Sequence, residues 1–231
     1  MLTIGIDTAT QVCSVAVVDE GKVLASLDVN VGLTHSEGLV PQLETLLTMA
    51  RVDKKAVQLI AVSRGPGSFT GLRIGMATAE ALAYSLDVPL QAVDTLQAIA
   101  CNLPVQGVRL IPVLDAQKGN LYVGHYAWDG KKIVETAPVS IVLASDLEQG
   151  LAQDSTPAVI LGECKRLTLS GNTNVTLAPL AARLPRASSV AILGEASYKP
   201  GPVHAYFGLE PFYIRRSEAE ELWEKRQKKQ S

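Results

Sequence analysis

LIAVSRGPGSFTGLRIG, residues 59–75, runs from an apolar stretch through the densest glycine cluster of the chain into a helical pattern. Strand, glycine loop, helix is how many proteins bring backbone N–H groups to a phosphate. A dinucleotide fingerprint needs G-x-G-x-x-G. Gly65 and Gly67 supply its first two glycines, but Thr70 stands at the third. A P-loop needs a lysine after its last glycine, and here Leu72 follows Gly71. Neither nucleotide loop is present in its usual form. The helix expected over about residues 70–86 offers another use for the glycines. Gly71, Gly75, Ala79 and Ala83 recur every four residues and share one face. A glycine inside a helix costs about 1 kcal/mol relative to alanine, so two of them need a compensating gain. A face almost bare of side chains lets another backbone approach closely, and Leu72, Met76 and Leu82 flank it. Spacing leaves two readings open: the face packs inside its own domain, or it packs against a partner subunit.

Working outward, LTIGIDT (2–8) reads as a buried strand, and the stretch from Cys13 gives a hairpin turning at Asp19-Glu20-Gly21. Thr34 with Glu37 forms a capping box ahead of a helix that carries Leu39, Leu43, Leu46 and Leu47 at helical spacing, with Pro41 inside it. After the glycine loop and its helix come a short strand, VPLQAV, and a helix, TLQAIACNL. Pro104 and Gly107 mark a boundary. The pattern then restarts: residues 108–137 read as strand, turn, strand, the turn Asp129-Gly130, strand, which aligns IGIDTAT with IPVLDAQ as an internal duplication. The expected organisation is a lobe over 1–104, a second lobe over 105–216, and a charged helical tail over 217–231. Ser217 and Glu220 make a capping box in that tail, with its acids first and bases last.

Composition bounds the function. The chain has 231 residues, 47% hydrophobic and 19% charged, with a formal net charge of −2, so no basic surplus advertises nucleic-acid binding. Three dispersed cysteines argue against a disulfide framework or a zinc knuckle. No basic start leads into an apolar segment, and no run of about 18 apolar residues exists, so the expectation is a cytoplasmic α/β protein without a membrane span.

Catalytic candidates are few. His35, His125 and His204 lack metal-ligand spacing, and Leu39 occupies the place one turn after His35. There is no G-x-S-x-G elbow, and Ser63, Ser68 and Cys13 have no identifiable base. Asp7 and Asp115 each end a strand, a placement characteristic of actin-like ATPases, where such residues hold Mg²⁺ or act as a base.

IGIDTATQVCSVAVV, THSEGLVPQLETLL, SRGPGSFTGLRIGMATAEALA, VDTLQAIA, VLDAQKGNLYVGHY and EPFYIRR occur in that order. Together they closely resemble the TsaB (YeaZ) family of bacterial tRNA threonylcarbamoyladenosine synthesis. The resemblance is dense over residues 2–126, thins from about 130 to 205, and returns at 210–215. It implies the α/β ASKHA fold (actin-like ATPase, ribonuclease H-like), with two similar lobes of mixed sheet and helices. It also implies a scaffold and activating subunit that binds no cofactor of its own. Its partners would be a TsaD-like catalytic subunit and a TsaE-like ATPase, and it would meet tRNA only through the complex. The complex transfers threonylcarbamoyl to N6 of the adenosine beside the anticodon in tRNAs reading ANN codons.

The catalytic relative carries paired histidines on the helix matching residues 34–50, which this chain lacks. The resemblance therefore implies that the chain is not itself an enzyme. It places the partner surface on the helices at 34–50 and 70–86, with Leu39, Leu43, Leu46, Gly71, Leu72, Gly75, Met76, Ala79 and Leu82. Arg64, Gly67, Ser68 and Arg73 are the loop candidates, with Ser68 or Thr70 capping the helix. The same face would pair two copies into a homodimer when the partner is absent. Where relatives read D-A-R-x-x-E-V-Y, this chain has Gln117 and Asn120 in place of the charged residues. The alternatives are a Mg-ATP-dependent small-molecule kinase using Asp7 and Asp115, and a peptidase.

Overall fold

A computed structural model describes residues 1–31, 35–169, 173–203 and 208–214. The first half is β1 (Leu2–Asp7), β2 (Cys13–Asp19), β3 (Lys22–Val29), α1 (His35–Ala50), β4 (Leu59–Gly65), α2 (Phe69–Leu86), β5 (Leu90–Asp94) and α3 (Thr95–Cys101). The second half is β6 (Arg109–Asp115), β7 (Asn120–Trp128), β8 (Ile133–Leu143), α4 (Ala144–Gln153), β9 (Ala158–Gly162), β10 (Val175–Leu177), α5 (Leu180–Arg183) and α6 (Ala187–Ser197). The capping residue Thr34, His204, and the tail with Ser217 and Glu220 lie outside the described residues.

The strands form two five-stranded mixed sheets, ordered β3-β2-β1-β4-β5 and β10-β9-β6-β7-β8. In each, an antiparallel three-strand meander is extended by two parallel strands. The second sheet thus repeats the first strand for strand, as the restarting pattern led one to expect. The repeat is unequal. An 18-residue helix, α2, joins β4 to β5, whereas among the described residues only a 3₁₀ turn at Cys164–Arg166 lies between β9 and β10.

The halves interlock through their last helices. α1 and α2 cover one face of the first sheet, where Leu39, Leu43, Leu46, Met76, Ala79 and Ala83 meet Ile4, Ile6, Val15, Val17, Ile60 and Val62. The other face is covered by α6, from the second half of the chain. In return, α3 of the first half packs Leu96 and Ile99 against Leu110, Leu114 and Tyr126 of the second sheet. α4 closes the far side over Ile111, Val113, Leu121 and Val123. The layers are therefore helix pair, sheet, central helices, sheet, helix. Beyond α6, residues 208–214 return to the first lobe as a strap. Leu209 packs on the first core, Ile214 on the second, and Phe212 N donates to Arg64 O at 2.7 Å. Among the described residues no helix is long and apolar enough to cross a membrane.

β1 has to be almost bare where α6 crosses it. A Cβ at Gly5 would lie 2.1 Å from the Ala187 carbonyl oxygen and 3.0 Å from Ala191 Cβ. That oxygen belongs to backbone fixed by Ala187 N donating to Ser14 Oγ at 2.8 Å. Gly5→Ala is expected to destabilise the protein by about 1–3 kcal/mol, the usual range for an overpacked core. An unchanged urea midpoint and slope for this variant would show that α6 yields there.

Candidate functional site

The glycine loop ends β4 and starts α2. The Gly65–Pro66 peptide is cis, and Gly65 has φ +117°, a conformation that favours glycine. Ser68 is the residue that caps α2: its Oγ accepts from Gly71 N at 3.2 Å. The loop therefore fixes where the helix begins, and it is itself fixed by the turn after β1. Ser68 N donates to Ala9 O at 2.7 Å, and a Cβ at Gly67 would lie 2.4 Å from that same oxygen.

The bare ridge of α2 faces inward. A Cβ at Gly71 would stand 2.1 Å from Thr8 O, and one at Gly75 would stand 2.2 Å from Thr8 Oγ1. Thr8 Oγ1 donates to Gly71 O at 2.8 Å. The backbone that nestles against the ridge is the chain's own Thr8–Ala9 turn, so of the two readings left open by spacing, packing within the domain is the observed one. Gly71, Leu72, Gly75, Met76 and Ala79 are buried, as are Leu39, Leu43 and Leu46 of α1, and partly buried Leu82 packs on the same core. These nine positions, expected at a partner surface, line the interior of their own lobe. The cause is general: apolar and small residues at helical spacing mark whichever face is buried, and the first sheet buries this one.

The outward faces carry different residues. α2 exposes Arg73, Ala77, Ala81 and Tyr84 along one stripe, with Tyr84 65% exposed. α1 exposes Val40, at 50%, and Met49, at 69%, together with Pro41 and Glu44. Val40 and Met49 stand on opposite edges of the exposed side of α1, and open apolar side chains on these two neighbouring helices mark a candidate association surface. At its end, Arg64 is ion-paired with Asp94 at 2.6 Å and lies over the Phe212 ring. Arg73 instead rests on Phe69, its guanidinium carbon 3.9 Å from the ring centre, and its Nε donates to the Tyr213 hydroxyl at 3.0 Å. The strap's share in this cluster escaped the sequence reading. Its signal was the pair of aromatics in EPFYIRR, whose target on α2 no local pattern announces.

The two strand-end aspartates do not share an open cleft. Asp7 is fully buried, with Oδ1 accepting from Ala9 N at 3.1 Å and Oδ2 without a partner among the described residues. Burial pushes its carboxyl up to about 7, against the pull of Ala9 N–H and the adjacent Ser63 hydroxyl, with Asp28 adding a smaller upward push. Among the described residues Ser63 Oγ does not reach hydrogen-bond geometry with any partner. Asp115 is exposed and paired with Arg166 at 3.2 Å, and its Oδ1 accepts from Gln117 N at 2.8 Å. Gln117 and Lys118 both have positive φ, and Asn120 Nδ2 donates to Gln117 O at 3.3 Å, so this segment forms a tight turn. His35 places Nε2 2.8 Å from Thr10 O, one turn before buried Leu39. His125 is half-buried in β7, and burial lowers its pKa. Among the described residues no group of three His, Cys, Asp or Glu side chains is arranged to hold a metal ion. The cysteines are free thiols, and burial pushes Cys13 and Cys164 up to about 11, which makes them poor nucleophiles.

A family model described as TsaD, tRNA N6-adenosine threonylcarbamoyltransferase, matches residues 30–223. The tRNA threonylcarbamoyladenosine biosynthesis protein TsaB of Bacillus subtilis is 31% identical over 99% of this chain and 100% of its own length. The protein of the same name from Escherichia coli is 28% identical over 97% and 98%. The solved structure of YeaZ from Pseudomonas aeruginosa superposes with a TM-score of 0.75 at 25% identity, covering 92% of this chain and 99% of that one.

Two outcomes test the geometry. Gly75→Leu drives a side chain into Thr8, so it should destabilise the isolated chain by about 1–3 kcal/mol, whereas Ala77→Trp on the outer stripe should change stability by no more than about 0.5 kcal/mol. Equal effects on the denaturation midpoint would show that the ridge does not face Thr8. For Asp7, the folded carboxyl titrates near 7 and the unfolded one near 3.8, so folding takes up a proton between those values. The stability that Asp7 contributes should therefore be fully present below about pH 4, be lost as pH rises to about 7, and then level off. The shift corresponds to roughly 4 kcal/mol. Asp7→Asn should flatten this slope. A parent whose Asp7-dependent stability instead rises over that range would contradict the burial of a neutral acid.

Proposed function

The chain belongs to the TsaB (YeaZ) family, and from that premise we propose that it is the non-catalytic, activating subunit of a tRNA threonylcarbamoyladenosine synthesis complex. The observation that carries the reading is 31% identity to a TsaB protein along essentially the whole of both chains. The partner is a TsaD-like catalytic subunit that transfers threonylcarbamoyl to N6 of adenosine, with a TsaE-like ATPase completing the assembly. tRNA is met through that complex, in the cytoplasm. Residues 1–104 form the partner-binding lobe, 105–216 the degenerate lobe, and 217–231 a tail.

Two features support a scaffold over an enzyme. Asp7, the strand-end carboxylate of the first lobe, is sealed beneath the Thr8–Ala9 turn and α2, where no substrate phosphate or metal reaches it. This burial also counts against the kinase alternative, which needs that carboxylate at an open cleft. The helix α1 offers one histidine, bonded to a backbone carbonyl, and an apolar residue one turn on. The docking surface is the outer side of α2, with Ala77, Ala81 and Tyr84, together with the exposed side of its neighbour α1. Ala77 and Ala81 let a partner helix come close, while Tyr84 is of a residue type that dominates binding energies. The same face pairs two copies when the partner is absent.

The isolated chain should neither turn over ATP nor modify tRNA, and adding a TsaD-like subunit with its ATPase should restore threonylcarbamoyl transfer. Tyr84→Ala and Ala77→Trp should each weaken pairing by about tenfold or more, measured by calorimetric titration, with the fold intact by circular dichroism. Threonylcarbamoyl transfer by the isolated chain would sink the scaffold reading.

A further inference from the structure

Arg73 lies at one end of the exposed α2 stripe, and two aromatic side chains hold it. Phe69 lies beneath its guanidinium, 3.9 Å from the ring centre. Tyr213, from the strap at the far end of the chain, stacks on Phe69 with centroids 4.8 Å apart and accepts from Arg73 Nε at 3.0 Å. The strap is anchored by Phe212 N donating to Arg64 O at 2.7 Å, by Leu209 in one core and by Ile214 in the other. Arg73 has no acidic partner among the described residues. Its neighbour Arg64 does, in Asp94 at 2.6 Å. The terminal amino groups of Arg73 are thus uncommitted there, while its Nε and its ring face are used.

We propose that Arg73, held in place by Tyr213 and Phe69, receives a carboxylate side chain of the partner subunit and sets the register of docking on α2. This rests on the reading of the α1–α2 outer face as the partner surface. If that face is covered, Arg73 loses water. A cation buried at an interface without a counter-charge costs several kcal/mol, so the partner must supply an anion at that point. A guanidinium fork fits a carboxylate with two parallel hydrogen bonds. Stacking and the Tyr213 bond fix the fork before the partner arrives. The loss of side-chain freedom is then met during folding and not during binding. Tyr213 acts here as a positioning residue.

The test is titration of the full chain with its TsaD-like subunit at low and high salt. Arg73→Gln should weaken pairing by about 30-fold or more and reduce its salt dependence. Tyr213→Phe keeps the ring stack and removes only the acceptor for Nε. It should weaken pairing a few-fold, and that loss should vanish in the Arg73→Gln background. Arg73→Lys should recover only part of the affinity, because an ammonium cannot form the fork. Additive losses from Tyr213→Phe and Arg73→Gln would overturn the positioning role. Unchanged pairing by Arg73→Gln, with Tyr84→Ala still weakening it, would overturn the carboxylate contact and leave the docking face standing. Loss in neither Tyr84→Ala, Ala77→Trp nor Arg73→Gln would remove the docking face itself. An effect of Arg73→Gln confined to self-association, read by sedimentation, would make the occupant a second copy and overturn the assignment.

Discussion

The seam between the turn after β1 and the first turns of α2 is the constraint on which the rest of this molecule depends. Thr8 presses its carbonyl and hydroxyl against Gly71 and Gly75 at distances no Cβ allows, and Ala9 does the same at Gly67. Two hydrogen bonds, Thr8 Oγ1 to Gly71 O and Ser68 N to Ala9 O, close the contact. In open α/β sheets the crevice at the carboxyl ends of parallel strands is where ligands bind. Here β1 and β4 end against their own glycine loop and helix. The strand-end carboxyl of Asp7 is shut in, and its proton is held well above the ordinary carboxylate range. The end of β1 is thus closed by a fixed helix and not left as an open crevice.

The two halves are alike except where that helix stands. Their sheets have the same strand order and the same mixture of antiparallel and parallel pairing. Their last helices are reciprocally placed, α3 on the second sheet and α6 on the first, so neither half completes its core alone. The difference lies between the fourth and fifth strands, where α2 has no counterpart of similar length among the described residues of the second half. Among the described residues, the surface that distinguishes the first lobe is therefore that of α2, since α1 has its counterpart in α4.

Much of the fold was legible in the order of residues. The hairpin at Asp19–Gly21, both N-lobe helices to within a residue, and the restart after Gly107 all depend on local patterns of period two or 3.6. The lining of the candidate site was not legible in the same way. Gly71, Gly75 and Ala79 announce close approach, but spacing does not say whose backbone approaches. The answer sits in Thr8, 63 residues earlier, and only the sheet register brings it there. The docking of Tyr213 on Arg73 spans 140 positions and has no periodic signature. Burial of Asp7 likewise comes from helices packed above it, not from its neighbours in sequence.

α2 is small-sided twice over. Gly71, Gly75, Ala79 and Ala83 turn inward, and Ala77 and Ala81 turn outward. A helix this thin transmits position with little slack, since few flexible side chains separate what lies below it from what lies above. The inner seam sets its height over the first sheet to within the tolerance of a van der Waals contact. The strap sets the orientation of the guanidinium at its start through Phe69 and Tyr213. Polar contacts at interfaces depend on such fixed placement, because a fork free to rotate loses on ordering much of what it gains on contact. The glycines that looked like a nucleotide loop therefore serve packing: they let α2 rest directly on the Thr8–Ala9 turn, which fixes its height and leaves its outer stripe in one place.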